Sequence, residues 1–117
     1  MGTFSVTIEI GDLQGQRYET VEAMVDTGAT YTVLPTALLQ RLRVDPIERQ
    51  RFEVADDRVV EYDIGQAWVR LDGRRRMDLV VFGESDHAVL GAFTQEAFGL
   101  AVDPVRKRLI RVPGLLM

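Results

Sequence analysis

Strict apolar-polar alternation in short runs constrains this chain more than any other feature of its sequence. Phe4, Val6, Ile8 and Ile10 fall on one side of the opening segment and Thr3, Ser5, Thr7 and Glu9 on the other, the pattern of a half-buried strand. Gly11 to Gly15 makes a turn, and Arg17 to Val25 reads as the returning strand. Val25-Asp26-Thr27-Gly28-Ala29-Thr30 breaks the pattern with small and polar residues, so the backbone turns there before a short apolar piece, Thr32-Val33-Leu34. Pro35 suits the first position of a helix, where its missing N–H costs nothing, and Leu38, Leu39 and Leu42 supply one apolar stripe over about two turns. Pro46 prevents that helix from continuing.

Alternation returns at Arg51. Phe52 and Val54 lead into Ala55-Asp56-Asp57-Arg58, whose polar residues suit a hairpin tip, and Val60, Tyr62 and Ile64 alternate on the way back. After Gly65, Ala67, Val69 and Leu71 alternate again up to Asp72-Gly73, the strongest hairpin signal in the chain. The run Arg74-Arg75-Arg76 reads as a solvated hairpin turn. Met77 to Phe82 is a further strand, apolar enough for burial on both faces, and a polar loop from Gly83 to His87 leads to Ala88-Val89-Leu90-Gly91. Thr94 to Phe98 covers one or two helical turns stopped by Gly99; Leu100-Ala101-Val102, the turn Asp103-Pro104 and Leu109-Ile110-Arg111-Val112 form a last pair of strands. About eight short strands with one or two short helices make an all-β, mainly antiparallel fold.

Length and composition narrow the function. At 117 residues, with 46% hydrophobic and 27% charged side chains, residues 1–117 are expected to form a single domain, which leaves no room for a two-domain enzyme. The lack of cysteine excludes disulfide scaffolds, Cys-based zinc sites and thiol nucleophiles. His87 is the one histidine, too few for a His-based metal cluster, and it reads as a surface residue. No metal and no cofactor are expected. Fourteen basic against 18 acidic side chains give no electrostatic footprint for nucleic acid. No apolar stretch approaches the ~20 residues that cross a bilayer and the N-terminus lacks a signal pattern, so the expectation is a cytoplasmic protein without membrane contact.

One constellation carries chemistry: Val25-Asp26-Thr27-Gly28-Ala29, with Val89-Leu90-Gly91 following 63 positions after Gly28. A carboxylate on a tight turn bounded by glycine can be approached by backbone N–H groups, and the threonine hydroxyl can bond neighbouring backbone and hold the turn. With the flap-like hairpin near Ala55 to Arg58 and the short helix after Gly91, this pattern resembles the retroviral-type, retropepsin-like aspartic proteases over Thr3 to Val112. The resemblance implies a closed β-barrel and catalysis by Asp26, with Thr27 locking the active-site turn against a dimer mate. It also implies close backbone access at Gly28, packing of Gly91 beneath the loop, and substrate contacts from Ala29, Thr30, Ala55, Asp56, Asp57 and Arg58. Two carboxylates a few ångströms apart cannot both ionise, so one acts as base toward water while the other is the acid. Only one Asp-Thr-Gly is present, so the active form would be a homodimer cleaving a peptide or protein substrate.

Two departures set the chain apart from the viral pattern. Where those enzymes continue with acidic residues after the alanine, this chain has Thr30 and Tyr31, and its flap tip carries Asp56 and Asp57 in place of a glycine-rich run. The apolar end, Pro113-Gly114-Leu115-Leu116-Met117, would pack on the partner subunit if the resemblance extends that far.

Simpler readings stand beside these. Asp26-Thr27-Gly28 alone is also an ordinary Asx-turn, and the whole fold could serve as a catalytically silent dimeric binding or assembly domain. Trp68 and Phe82 read as packing residues, and Asp56 and Asp57 as turn formers. Asp26-x-Gly28-x-Thr30 also fits the phosphate-binding turn of actin-like kinases, but that fold needs two large domains.

Ala29 yields a prediction. A serine there would donate a hydrogen bond to the ionised aspartate and favour its charged form, which alanine cannot do. The pH profile of peptide hydrolysis by Ala29→Ser is expected to move toward acid relative to the parent chain; an unmoved profile would contradict it.

Overall fold

A computed structural model describes residues 4–114 and residue 116; Thr3, Leu115 and Met117 lie outside the described residues. The elements follow in the order β1 (Phe4–Gly11), β2 (Tyr18–Val25), β3 (Thr32–Pro35), α1 (Thr36–Arg41), β4 (Glu48–Glu53) and β5 (Val59–Leu71). Then come β6 (Arg74–Gly83), β7 (Ala88–Leu90), α2 (Ala92–Ala97), β8 (Leu100–Asp103) and β9 (Arg108–Arg111). The bonded order is β1-β2-β7-β3-β6-β5, and β5 returns to β1, so six strands close into a barrel. Closure leaves no open edge around the ring. Two of its pairings, β2 with β7 and β3 with β6, are parallel, and the rest antiparallel.

The predicted alternation packs this barrel. Ile8, Ile10, Ala23, Val25, Leu34, Ala67, Val69, Val80 and Leu90 point inward and are buried. Each large aliphatic side chain so buried contributes ~1.5–3 kcal/mol. Leu38 and Leu39 of α1, Leu42 and Val44 just after it, and Phe98 after α2 join the same buried core.

Both helix boundaries have local causes. Pro35 is the last residue of β3 and the cap of α1, with ψ 134°, so the helix begins at Thr36 and not at the proline. It ends well before Pro46. Arg43 takes a left-handed φ of 56°, Val44 N–H reaches back to the Leu39 carbonyl (2.9 Å) and Arg43 N–H to that of Gln40 (3.0 Å). That paired closure satisfies the terminal carbonyls and tucks Val44 into the core. Gly99, at φ 64°, stops α2 as its position suggested.

β5 is one strand of 13 residues that passes through Gly65. Its alternation changes phase because the strand changes neighbours: residues 59–64 pair with β4, whereas 64–71 pair with β6. Val60, Tyr62 and Ile64 are the more covered residues in the outer half, and Gly65, Ala67, Val69 and Leu71 in the barrel half. A side chain at Gly65 would stand 3.0 Å from Phe82 and 3.1 Å from the Asp45 carbonyl, so glycine there admits close packing and does not end the strand. β4 begins at Glu48, ahead of the expected Arg51, and pairs only with β5; the two project from the ring as a hairpin.

The Asp72-Gly73 turn forms as predicted. Leu71 faces Arg74 across a two-residue loop with φ 57° at Asp72 and 71° at Gly73, the geometry that suits the twist of the flanking strands. The three arginines are therefore not in the turn but open β6. Arg74 donates to the Phe98 carbonyl (2.6 Å), and Arg75 lies 4.3 Å over the Trp68 ring and bonds Tyr18 Oη (2.9 Å). Burial of β6 on both faces starts only at Val80, and Met77 is 37% exposed.

An added methyl at Gly73 meets nothing within 4 Å, so its substitution isolates backbone strain. Gly73→Ala is expected to lower stability by ~1–2 kcal/mol in urea denaturation, with the fold unchanged by circular dichroism.

Candidate active site

The site is built where two parallel strands end together. Val25 of β2 lies opposite Leu90 of β7, and both chains leave the barrel at this point. Asp26 N–H donates to the Leu90 carbonyl (3.3 Å), Ala29 N–H closes the turn on the Asp26 carbonyl (3.2 Å), and Gly28 N–H donates to Asp26 Oδ1 (2.9 Å). The carboxylate is thereby aimed by backbone. Asp26 is half-buried, Thr27 and Gly28 are exposed, and among the described residues no cation lies within ion-pair distance of Asp26.

The return limb of the loop hangs on the segment after β7. Ala92 N–H donates to the Ala29 carbonyl (2.8 Å) and Phe93 N–H to that of Thr30 (3.0 Å). Gly91 lies directly against this limb: a Cβ there would sit 2.4 Å from the carbonyl carbon and oxygen of Tyr31 and 2.8 Å from the Thr30 oxygen. Its φ of −84° is open to any residue, so space alone demands glycine.

Four residues that the sequence reading missed hold this segment. Thr32 and Thr94 are buried, and their hydroxyls bond each other; Thr32 Oγ1 accepts from Gly91 N–H (3.0 Å) and Thr94 donates to Asp78. The Gln95 amide donates to the Leu90 carbonyl (3.1 Å), the same oxygen that receives Asp26 N–H. Threonine on a strand or helix carries no signal of such a role. The visible clue is that Thr32 occupies an inward position between Asp26 and Leu34.

An open cleft of about 540 Å³ begins at the loop. Gly28, Ala29, Thr30, Tyr31 and Val33 line one side, Phe52, Glu53, Val54 and Tyr62 of the projecting hairpin another, with Val81, Gly83, Glu84 and Ser85 behind. Tyr31 joins loop to hairpin: its ring meets Phe52 and Phe93 edge to face at 5.4 Å each. Tyr62 donates to the Glu84 carboxylate, which pushes its phenol above the ordinary value. The hairpin tip turns through Ala55, Asp56 and Asp57, the last at φ 63°, with Arg58 paired to Asp56 at 2.8 Å. These tip residues stand outside the cleft lining, as does His87, which is exposed beside Asp86.

A six-stranded closed barrel with an Asp-Thr-Gly loop at one end and a projecting hairpin beside it defines a retropepsin-like fold. The aspartyl protease family model matches residues 6–93, and the chain belongs to that family. Among solved structures it is similar to the simian foamy virus (mac) protease, with TM-score 0.58 and 22% identity over 79% of this chain and 91% of that one. The EIAV protease complexed with the inhibitor HBY-793 gives TM-score 0.59 and 18% identity over 84% and 89%. The foamy viral protease-reverse transcriptase in complex with an RNA/DNA hybrid gives TM-score 0.57 and 15% identity over 80% of this chain and 12% of that one. A comparison with curated proteins gives no match. Among the described residues no helix is long and apolar enough to cross a membrane.

Asp78 supplies the prediction of this site. Burial raises its carboxyl above the ordinary 3.8, against the lowering effect of the Thr94 and Leu79 hydrogen bonds. A carboxyl raised in the folded state binds its proton more readily there than in the unfolded chain, so its contribution to stability falls as pH rises above 3.8. At one protein concentration, the unfolding free energy of the parent chain minus that of Asp78→Asn is expected to decrease from about pH 3 to about pH 6. A flat difference would contradict the assignment.

Proposed function

We propose that this chain is an aspartic endopeptidase that works as a homodimer, with one active site on the twofold axis and one Asp26 from each subunit. The observation that carries the reading is the Asp26 turn: a single carboxylate, aimed by Gly28 N–H and the Leu90 carbonyl, on the loop whose next residues, Gly28, Ala29 and Thr30, line an open cleft. Two such groups brought together share a proton, and the titration then belongs to the pair. The ionised member takes a proton from water as the oxygen attacks the scissile carbonyl, and the protonated member gives its proton to the carbonyl oxygen. The same pair then returns a proton to the leaving amine, with neither a metal nor a covalent intermediate in this scheme.

Exposure of Thr27 and Gly28, and of Phe93 at 53%, supports a second subunit over this end of the barrel. Ala29 and Thr30 would contact the peptide from below and the Ala55–Arg58 tip from above, once the hairpin closes. The apolar walls, Tyr31, Val33, Phe52 and Val81, favour hydrophobic side chains around the scissile bond.

Purified protein incubated with a mixed peptide library is expected to cleave it, and Asp26→Asn to lower kcat by about a thousandfold or more. Sedimentation of the cleaving preparation is expected to show a dimer. Cleavage that survives Asp26→Asn, or cleavage by a strictly monomeric sample, would overturn the proposal. A dimer with no turnover would favour the silent binding domain.

A further inference from the structure

We propose that Asp78 is a positioning residue for Asp26, acting through a one-way relay of hydroxyl groups. The proposal rests on the reading of Asp26 as the reacting group.

The direction of the relay follows from valence. Gly91 N–H can only donate, so Thr32 Oγ1 accepts there (3.0 Å). Thr94 spends its single hydroxyl proton on Asp78 Oδ2. The proton between the two threonines must therefore be that of Thr32, and the chain runs from Gly91 through Thr32 and Thr94 to Asp78. Asp78 Oδ1 meanwhile accepts Leu79 N–H (2.9 Å). Both carboxylate oxygens face donors, Ala67 stands opposite across β5, and no cation pairs with Asp78 among the described residues.

Such a site requires an acceptor on each side. An asparagine turns its amide N–H either toward Leu79 N–H, which sets two donors face to face and leaves Leu79 without its acceptor, or toward Thr94, the orientation that spares this clash. In the second case Thr94 must accept, its own proton turns to Thr32, and the Thr32 hydroxyl is left without an acceptor in a place 1% exposed. Thr32 must then rotate to find an acceptor for its proton, which weakens its hold on Gly91 N–H, and the neighbours of Gly91, Leu90, Ala92 and Phe93, carry the Asp26 loop by three backbone bonds. Asp78 thus joins β6 and α2 to β3 and sets where the active-site turn sits, without reaching the cleft, since it is absent from its lining.

The test compares Thr94→Ser, which keeps the hydroxyl, with Thr94→Val, which keeps the shape, and Asp78→Asn. Thr94→Ser is expected to hold kcat within about threefold of the parent chain, whereas Thr94→Val and Asp78→Asn lose about ten- to a hundredfold in kcat with KM within about twofold. In the same samples, hydrogen exchange of the Gly91 amide is expected to rise in the two disrupted variants and stay at the parent rate in Thr94→Ser. Parent-like kcat and Gly91 exchange in Thr94→Val and Asp78→Asn would overturn the relay, as would a loss confined to KM. Should Thr94→Val not fold, Asp78→Asn, which preserves side-chain volume, decides alone. If the parent chain cleaves no peptide, the proposed function fails, and Gly91 exchange still tests the relay.

Discussion

The contact between Gly91 and the backbone of Thr30 and Tyr31 is the constraint on which the site depends. Two chain segments leave the barrel from adjacent parallel strands, and they cross so closely that even a methyl group would fall 2.4 Å from a carbonyl. The crossing lets Leu90, Ala92 and Phe93 bond the loop in turn, so the Asp26 turn inherits the rigidity of the barrel wall. A loop held only by its own short-range bonds would place its carboxylate less firmly, and precise placement is what a proton-transfer group needs. Buried hydroxyls beneath the crossing complete the support, because a network satisfied at every member stiffens what it joins.

Ring closure explains why the projecting hairpin can move apart from this support. β5 belongs to two structures: its inner half is a barrel stave between β1 and β6, and its outer half pairs only with β4. Apolar burial concentrates in the inner half, whereas residues 48–63 are mostly exposed or half-exposed. Exposed backbone bonds with few buried side chains open more easily than core ones. The hairpin therefore meets the fixed loop at Tyr31, through the edge-to-face contact with Phe52, worth about 0.5–1.5 kcal/mol beyond burial, and the Gln50 amide on the Tyr31 hydroxyl (3.5 Å), while Phe93 of α2 backs the same ring from the loop's own side. Such contacts align the cleft wall without locking the hairpin to the loop.

Most of this was legible wherever one physical effect acts locally. Period-two alternation marked β1, Asp72-Gly73 marked a turn that needs two positive φ values, and Asp26-Thr27-Gly28 with Leu90-Gly91 marked the loop built where β2 and β7 end together. What stayed hidden depends on partners distant in sequence. Gly65 looks like punctuation because the Phe82 ring and the Asp45 carbonyl that require it come from elsewhere in the chain. Arg74 to Arg76 read as a solvated turn because nothing nearby reveals that Phe98, Trp68 and Tyr18 receive them. Pro46 drew attention as a helix stop, while the actual stop was Arg43 in a conformation usually given to glycine. Thr32, Thr94 and Asp78 are ordinary residues one at a time. The expectation for the apolar end falls partly on Leu115 and Met117, outside the described residues.

Charge placement bears on the proposed dimer. Several arginines pair with other carboxylates or lie over rings: Arg41 with Glu19, Arg49 with Asp63, Arg74 and Arg111 with Asp72, Arg70 over Tyr18. At such exposure these pairs contribute little to stability, with Arg111 foremost in holding the Asp72 carboxyl below its ordinary value. Asp26 has a backbone N–H as its hydrogen-bond partner and no guanidinium at ion-pair distance among the described residues. A guanidinium at that point would pin the carboxylate in its ionised form and compete for its oxygens. Its absence leaves a second carboxylate, arriving across a twofold axis, as the strongest electrostatic influence Asp26 would meet, which is the condition under which two identical groups divide into an acid and a base.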